Sequence, residues 1–186
     1  KFAINDELLK PYFKLENVLN GVFEHARRLY GLEFKLRKDL PTYHPDVAVY
    51  EVHDPKQKTG PDLDPTFAGL LYTDFFPRPN KRPGAWMTVF RDQGLDHGKI
   101  QRPHVSIVGS LTQPTPTAPS LLTLQEVRTV FHEFGHALHN LLSRCYYRSL
   151  AGTNVYCDFV ELPSQIMENW IRTHEGLALF AKHYET

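Results

Sequence analysis

The chain has 186 residues, and its 21 Lys plus Arg balance 21 Asp plus Glu, so no net field exists to capture nucleic acid or an anionic membrane. Hydrophobic residues at 41% and charged residues at 23% describe a globular chain able to bury one sizeable core, and they exclude intrinsic disorder, collagen and coiled coil. No apolar run approaches the roughly 18–20 residues of a membrane-spanning helix and the first residues lack a secretion-signal layout, while Cys145 and Cys157 are too few for a disulfide scaffold, so a reducing, cytoplasmic location is expected.

In chain order, a short helical start at 6–10 is cut by Pro11. Apolar Leu15, Val18, Leu19, Val22, Phe23, Ala26 and Leu29 then recur at three- and four-residue steps before Gly31, which predicts an amphipathic helix over Leu15–Tyr30. Residues 47–52, 67–72, 85–90 and 104–108 read as β-strands, about four in one sheet, with the first two paired across a polar stretch at 54–65. The proline-rich loop at 113–119 closes the strand region. A helical period follows from 121 to 145, then a turn at 151–154 and a second helix from near Asp158 past Trp170; the sequence through 181 still reads as helix-forming. The expected organisation is α+β, with residues 1–120 as a helix and small sheet and residues 121–186 as two helices, together one incomplete catalytic domain.

Within the first of those helices stands His132-Glu133-Phe134-Gly135-His136. Residues four apart lie one turn above each other, so His132 and His136 can converge on one metal ion, and Glu133, about 100° round, can address a water on that ion without being a ligand. With 10 His in the chain, random placement gives roughly 0.03 such matches, so the bare pattern needs corroboration. Helical context supplies some, because Val127, Val130, Phe131, Phe134, Ala137, Leu138 and Leu141 form an apolar stripe that would bury the helix. His139 lies on nearly the same face as His132 but about 10.5 Å further along the axis, too far to share a zinc whose nitrogens sit at about 2.0–2.1 Å.

A catalytic zinc takes three protein ligands and keeps one position open, which directs the search to the next helix. There Glu161 and Glu168, seven apart, share one face, and on spacing alone either can be the ligand; Glu161 is the first choice and Glu168 the alternative. Glu161 has a structural competitor, since Asp158 with Glu161 has capping-box spacing and Pro163 suits a helix's first turn. A rival reading makes the helices a non-catalytic scaffold with a structural metal, whose fourth ligand would come from Cys145, Cys157 or Glu168, although neither cysteine aligns well with the two histidines.

The string 132–136, followed by Ser149-Leu150-Ala151-Gly152-Thr153-Asn154 and Asp158-Phe159-Val160-Glu161-Leu162-Pro163-Ser164-Gln165, resembles the active-site region of the thimet oligopeptidase family of zinc peptidases. Upstream, Phe75-Phe76-Pro77-Arg78-Pro79-Asn80-Lys81-Arg82-Pro83-Gly84-Ala85-Trp86-Met87 is similar to the segment preceding that site, and within the family the likeness is to bacterial peptidyl-dipeptidases. The resemblance implies a zincin-like domain and one zinc ion per chain held by His132, His136 and Glu161, with Glu133 polarising the attacking water. It also implies short peptide substrates, release of C-terminal dipeptides or else internal cleavage, and a monomer. Family members are several times longer, and their substrate-binding and oxyanion-stabilising His and Tyr lie well downstream of the Glu ligand. An internal fragment is therefore expected, dependent on the rest of its parent chain and inactive or weakly active alone.

Overall fold

The computed structural model describes residues 5–56 and 66–186; most of the polar stretch at 54–65 and the first four residues lie outside it. Helix α1 is a single turn, Asp6–Leu9, capped by the Asn5 side chain, and a 3-10 turn, Lys10–Tyr12, carries the chain across Pro11 rather than ending there. Proline is admitted because the first residues of a helix have no intrahelical partner for their N–H. Helix α2 is Leu15–Tyr30, with the predicted limits, and buries Val18, Val22 and Ala26 on one side. Gly31 stops it in the left-handed conformation at φ 84°, and its N–H bonds back to the Arg27 carbonyl.

The sheet has five strands rather than four. These are β1 (Glu33–Leu36), β2 (Ala48–His53), β3 (Phe67–Asp74), β4 (Trp86–Arg91) and β7 (His104–Val108), in spatial order β1-β2-β3-β7-β4. The pair β2 and β3 is antiparallel, as the sequence suggests; β1 adds antiparallel to β2, β7 runs parallel to β3, and β4 closes the far edge antiparallel to β7. A separate hairpin pairs β5 (Gly94–Asp96) with β6 (Lys99–Gln101), turning at His97 and Gly98, both at positive φ. The extra strands are short and only β1 joins the main sheet, on its outer edge, so the central strands carry the burial: Ala68, Leu71, Val105 and Ile107 are 2% exposed or less.

Helix α3, Leu124–Leu141, starts three residues later than the apolar period suggests. Thr123 is the N-cap: its hydroxyl accepts the Glu126 N–H at 3.1 Å and the Glu126 carboxylate accepts the Thr123 N–H at 2.8 Å, a reciprocal box that satisfies two otherwise unpaired donors. It ends four residues early because tertiary structure takes over the terminal carbonyls. Buried Arg102 donates to Leu141 O at 2.7 Å and Ser143 O at 2.9 Å, and also to Ala68 O and the Gln93 side chain. Burial lowers the Arg102 pKa to about 10, which still leaves it protonated at neutral pH.

Helix α4 is Cys157–Glu168, continued as a 3-10 turn over Asn169–Arg172, so Trp170 lies beyond the α-helix proper. Tyr156 is the N-cap, which puts Asp158 inside the first turn and removes the proposed capping role of Glu161. Pro163 lies in the helix interior rather than the first turn, where its missing N–H leaves the Phe159 carbonyl without an intrahelical donor. The tail forms only one more turn, α5 (His174–Leu177), because extended Thr173 interrupts the period and caps the new turn through Gly176 N–H. One apolar cluster joins α2, the sheet, α3 and α4, with Phe131, Phe134 and Met167 among its least exposed members. This α+β arrangement sets α3 between the sheet and α4.

Candidate metal centre

The apolar stripe of α3 faces the core, and every residue predicted for it, from Val127 to Leu141, is buried. That fixes the helix's rotation and turns His132 and His136 toward α4. The two helices touch without an intervening side-chain layer: a Cβ on Gly135 would stand 2.5 Å from Ser164 Cα and 2.7 Å from the Pro163 carbonyl oxygen. The glycine at the centre of the motif is thus a packing requirement, and it brings Glu161 within reach of both imidazoles.

Glu161 Oε2 lies 3.2 Å from His132 Nε2 and 3.3 Å from His136 Nε2, and the three ligand atoms all fall within 4.8 Å of one another. Two atoms each about 2.05 Å from a tetrahedral zinc stand about 3.3 Å apart, so these separations are the edges of such a polyhedron. The proton inventory points the same way. Glu168 Oε1 is 2.7 Å from His132 Nδ1, and Arg128 Nε donates to Glu168 Oε2 at 2.6 Å, so the carboxylate is an acceptor and Nδ1 carries the proton. With Nδ1 engaged by Glu168, Nε2 is the His132 nitrogen that faces Glu161 Oε2, at 3.2 Å, and it is the one placed to meet a cation held between them. Ser164 Oγ, fully buried, donates to Glu161 Oε2 at 2.7 Å and aims that oxygen at the histidines.

Glu133 is buried, and desolvation raises its carboxyl pKa, with the nearby Glu161 charge adding to the rise and His132 and the Met87 backbone N–H opposing it. Burial likewise lowers the pKa of His136, against the raising effect of Glu161. Glu168 has burial pushing its pKa up, outweighed by the hydrogen bonds from Arg128 and His132, so the net shift is downward.

His132, His136 and Glu161 therefore come together as the sequence suggests, and among the described residues they form the one His/Cys/Asp/Glu grouping with metal-binding separations. Glu168, the alternative third ligand, instead supports the opposite nitrogen of His132. His139 is not in the group; its ring stands edge-on to Phe159 at 6.1 Å, and its Nδ1 is buried without a partner. Cys145 donates its thiol to Leu150 O, and Cys157 is exposed, so neither completes a four-ligand structural site. The residues that spacing alone passes over are Ser164, Gly135 and Arg128. The signal for Arg128 was available, since it precedes His132 by four on the same face.

The whole chain, residues 1–186, matches the model of Peptidase family M3. It is 43% identical over 189 residues to dipeptidyl carboxypeptidase and 41% identical over 188 residues to oligopeptidase A, both of Escherichia coli strain K12. Probable cytosolic oligopeptidase A of Arabidopsis thaliana is 40% identical over 193 residues. Each alignment covers 100% of this chain and 26% of the relative, so the chain spans about a quarter of the length of these proteins. The chain belongs to peptidase family M3, the metallopeptidase family to which its motifs point.

Proposed function

We propose that the chain is the metal-holding core of a zincin-like metallopeptidase that hydrolyses peptide bonds in short peptides, working as part of a longer, monomeric polypeptide. The observation that carries this reading is the convergence of His132 Nε2, His136 Nε2 and Glu161 Oε2, the carboxylate oxygen standing at a tetrahedral-edge separation from each imidazole nitrogen, with Glu133 buried on the same helix. Three ligands leave one position open, the arrangement of catalytic rather than structural zinc. A zinc ion held there supplies Lewis-acid polarisation of the scissile carbonyl and acidification of a coordinated water.

The chain's own groups do the rest. Glu133 accepts the water's proton on its carboxylate and later delivers it to the departing amine, and its raised pKa strengthens it as a base for the first transfer. The Met87 backbone, on edge strand β4, lies close enough to that carboxylate to oppose the rise. Ser164 holds Glu161 in its liganding pose. In this reading residues 1–120 brace the α3 face and residues 121–186 carry the ligands, while the donors that stabilise the oxyanion come from the remainder of the parent chain.

The names of the relatives, dipeptidyl carboxypeptidase and oligopeptidase A, support an oligopeptide substrate, and dipeptide release from the C-terminus is the reaction we propose. Two free cysteines and the cytosolic Arabidopsis relative support a cytoplasmic location; among the described residues no helix is long and apolar enough to cross a membrane. The test is hydrolysis of a short peptide by the longer protein containing this sequence, with free and amidated C-termini compared. Dipeptide products that disappear on amidation are expected. Internal cleavage of both forms would overturn the release of C-terminal dipeptides, and no zinc-dependent cleavage of either would overturn the peptidase reading.

A further inference from the structure

We infer that Glu168, anchored by Arg128, is the positioning residue that sets the tautomer and aim of His132 for the metal. The inference rests on the zinc reading above and adds to it a pair of residues that bind neither metal nor substrate.

A neutral imidazole carries one proton, and in a flexible histidine either nitrogen can hold it. Here the choice is built into two helix faces. His132 Nδ1 meets Glu168 Oε1 at 2.7 Å, and the other oxygen of the same carboxylate accepts from Arg128 Nε at 2.6 Å. Both carboxylate oxygens are thereby used, and the Glu168 side chain is only 8% exposed. This contact holds a proton on Nδ1 and pins the ring plane, so that in the neutral imidazole Nε2, 3.2 Å from Glu161 Oε2, is the nitrogen free to meet a metal. Arg128 and His132 are four apart on α3, and Glu161 and Glu168 are seven apart on α4, so on each helix a supporting group shares a face with a candidate ligand, α3 carrying His136 as well. His136 differs, because its Nδ1 is buried with no partner among the described residues. The support falls on one histidine of the two.

Groups that bond the far nitrogen of a liganding histidine commonly alter metal affinity by 10–100-fold when removed. Two readouts separate this inference from the zinc reading. The first needs no metal: long-range ¹H–¹⁵N correlation of the imidazoles in the metal-free chain, at mildly alkaline pH. Wild-type His132 is expected as the Nδ1–H tautomer, and in Glu168→Ala it is expected to shift toward Nε2–H. The second is zinc affinity by chelator competition, where Glu168→Ala is expected to bind about 10–100-fold more weakly. Arg128→Ala, which removes a half-exposed side chain and leaves the core intact, is expected to move both readouts in the same direction by less. It serves if Glu168→Ala does not fold. Wild-type His132 found as Nε2–H, or a folded Glu168→Ala or Arg128→Ala chain with wild-type tautomer and zinc affinity, overturns the inference. Nδ1–H tautomer in a wild-type chain that binds no zinc upholds the positioning contact and tells against the zinc reading instead.

Discussion

Two side chains near the three liganding atoms have separable jobs. Glu133 touches the reacting water in the proposed mechanism but holds no metal, so Glu133→Gln in the longer protein is expected to lower kcat/KM by about 10²-fold or more with zinc retained; parallel loss of zinc and activity would make it a ligand. Ser164 acts through Glu161. Removing its hydroxyl in Ser164→Ala leaves Glu161 Oε2 without its 2.7 Å donor, and a hydrogen bond to a charged group is worth about 1.5–3 kcal/mol. Zinc affinity is expected to fall by about tenfold or more, measured by chelator competition, and unchanged affinity would show the hydroxyl to be incidental. Ser164 does not stand out from spacing, and although Arg128 and Glu168 share faces with His132 and Glu161, spacing does not say which oxygen or nitrogen they meet. The convergence of His132 and His136 on one helix face was legible, since a four-residue period on a helix is itself a statement about direction.

The meeting of α3 and α4 depends on Gly135. With Ser164 Cα 2.5 Å from the position of a Cβ, Gly135→Ala has no flexible neighbour to displace and must move backbone against backbone. We expect a cost of at least about 2 kcal/mol, read as a lowered unfolding midpoint, together with weakened zinc binding because Glu161 is carried away from the histidines. Wild-type stability and affinity in that variant would mean the helices repack freely. The elements themselves were unevenly legible. Helix α2 and the four longer strands follow from period and flanking Gly or Pro, whereas β1, β5 and β6 are three or four residues each and owe their pairing to neighbours rather than to pattern. The limits of α3 were misread at one end because the Thr123–Glu126 box was overlooked, and at the other because Arg102 reaches in from a distant loop. Pro163 is expected in a first turn, where its missing N–H costs nothing, and lies in the interior instead because α4 begins at Cys157.

One source of acid sensitivity in the fold lies at the β4–β7 edge. Arg91 Nη2 donates to His104 Nε2 at 2.6 Å, and burial together with the Arg91 charge lowers the His104 pKa to about 4. Unfolded histidine titrates near 6.5, so between those values the unfolded chain binds a proton the folded chain refuses. The stability at stake is complete above about pH 6.5 and is lost progressively as pH falls toward 4. His104→Gln is expected to flatten the dependence of the denaturation midpoint over that window; a profile unchanged by the substitution would place the acid sensitivity elsewhere. Asp74 acts further down. Burial pushes its carboxyl up, but Arg78, Lys81 and Tyr43 outweigh that and hold it at about 2, so its contribution is present above about pH 4 and lost toward pH 2.

What joins these parts is the claim that α3 and α4 are packed so that Glu161 completes a zinc site begun by His132 and His136. The most direct measurement is metal content of the purified chain after dialysis against a small excess of zinc, for wild type and Glu161→Gln. About one zinc per wild-type chain, lost in Glu161→Gln, is the expected result. A folded wild-type chain without zinc, or a Glu161→Gln chain that keeps it, would contradict the site.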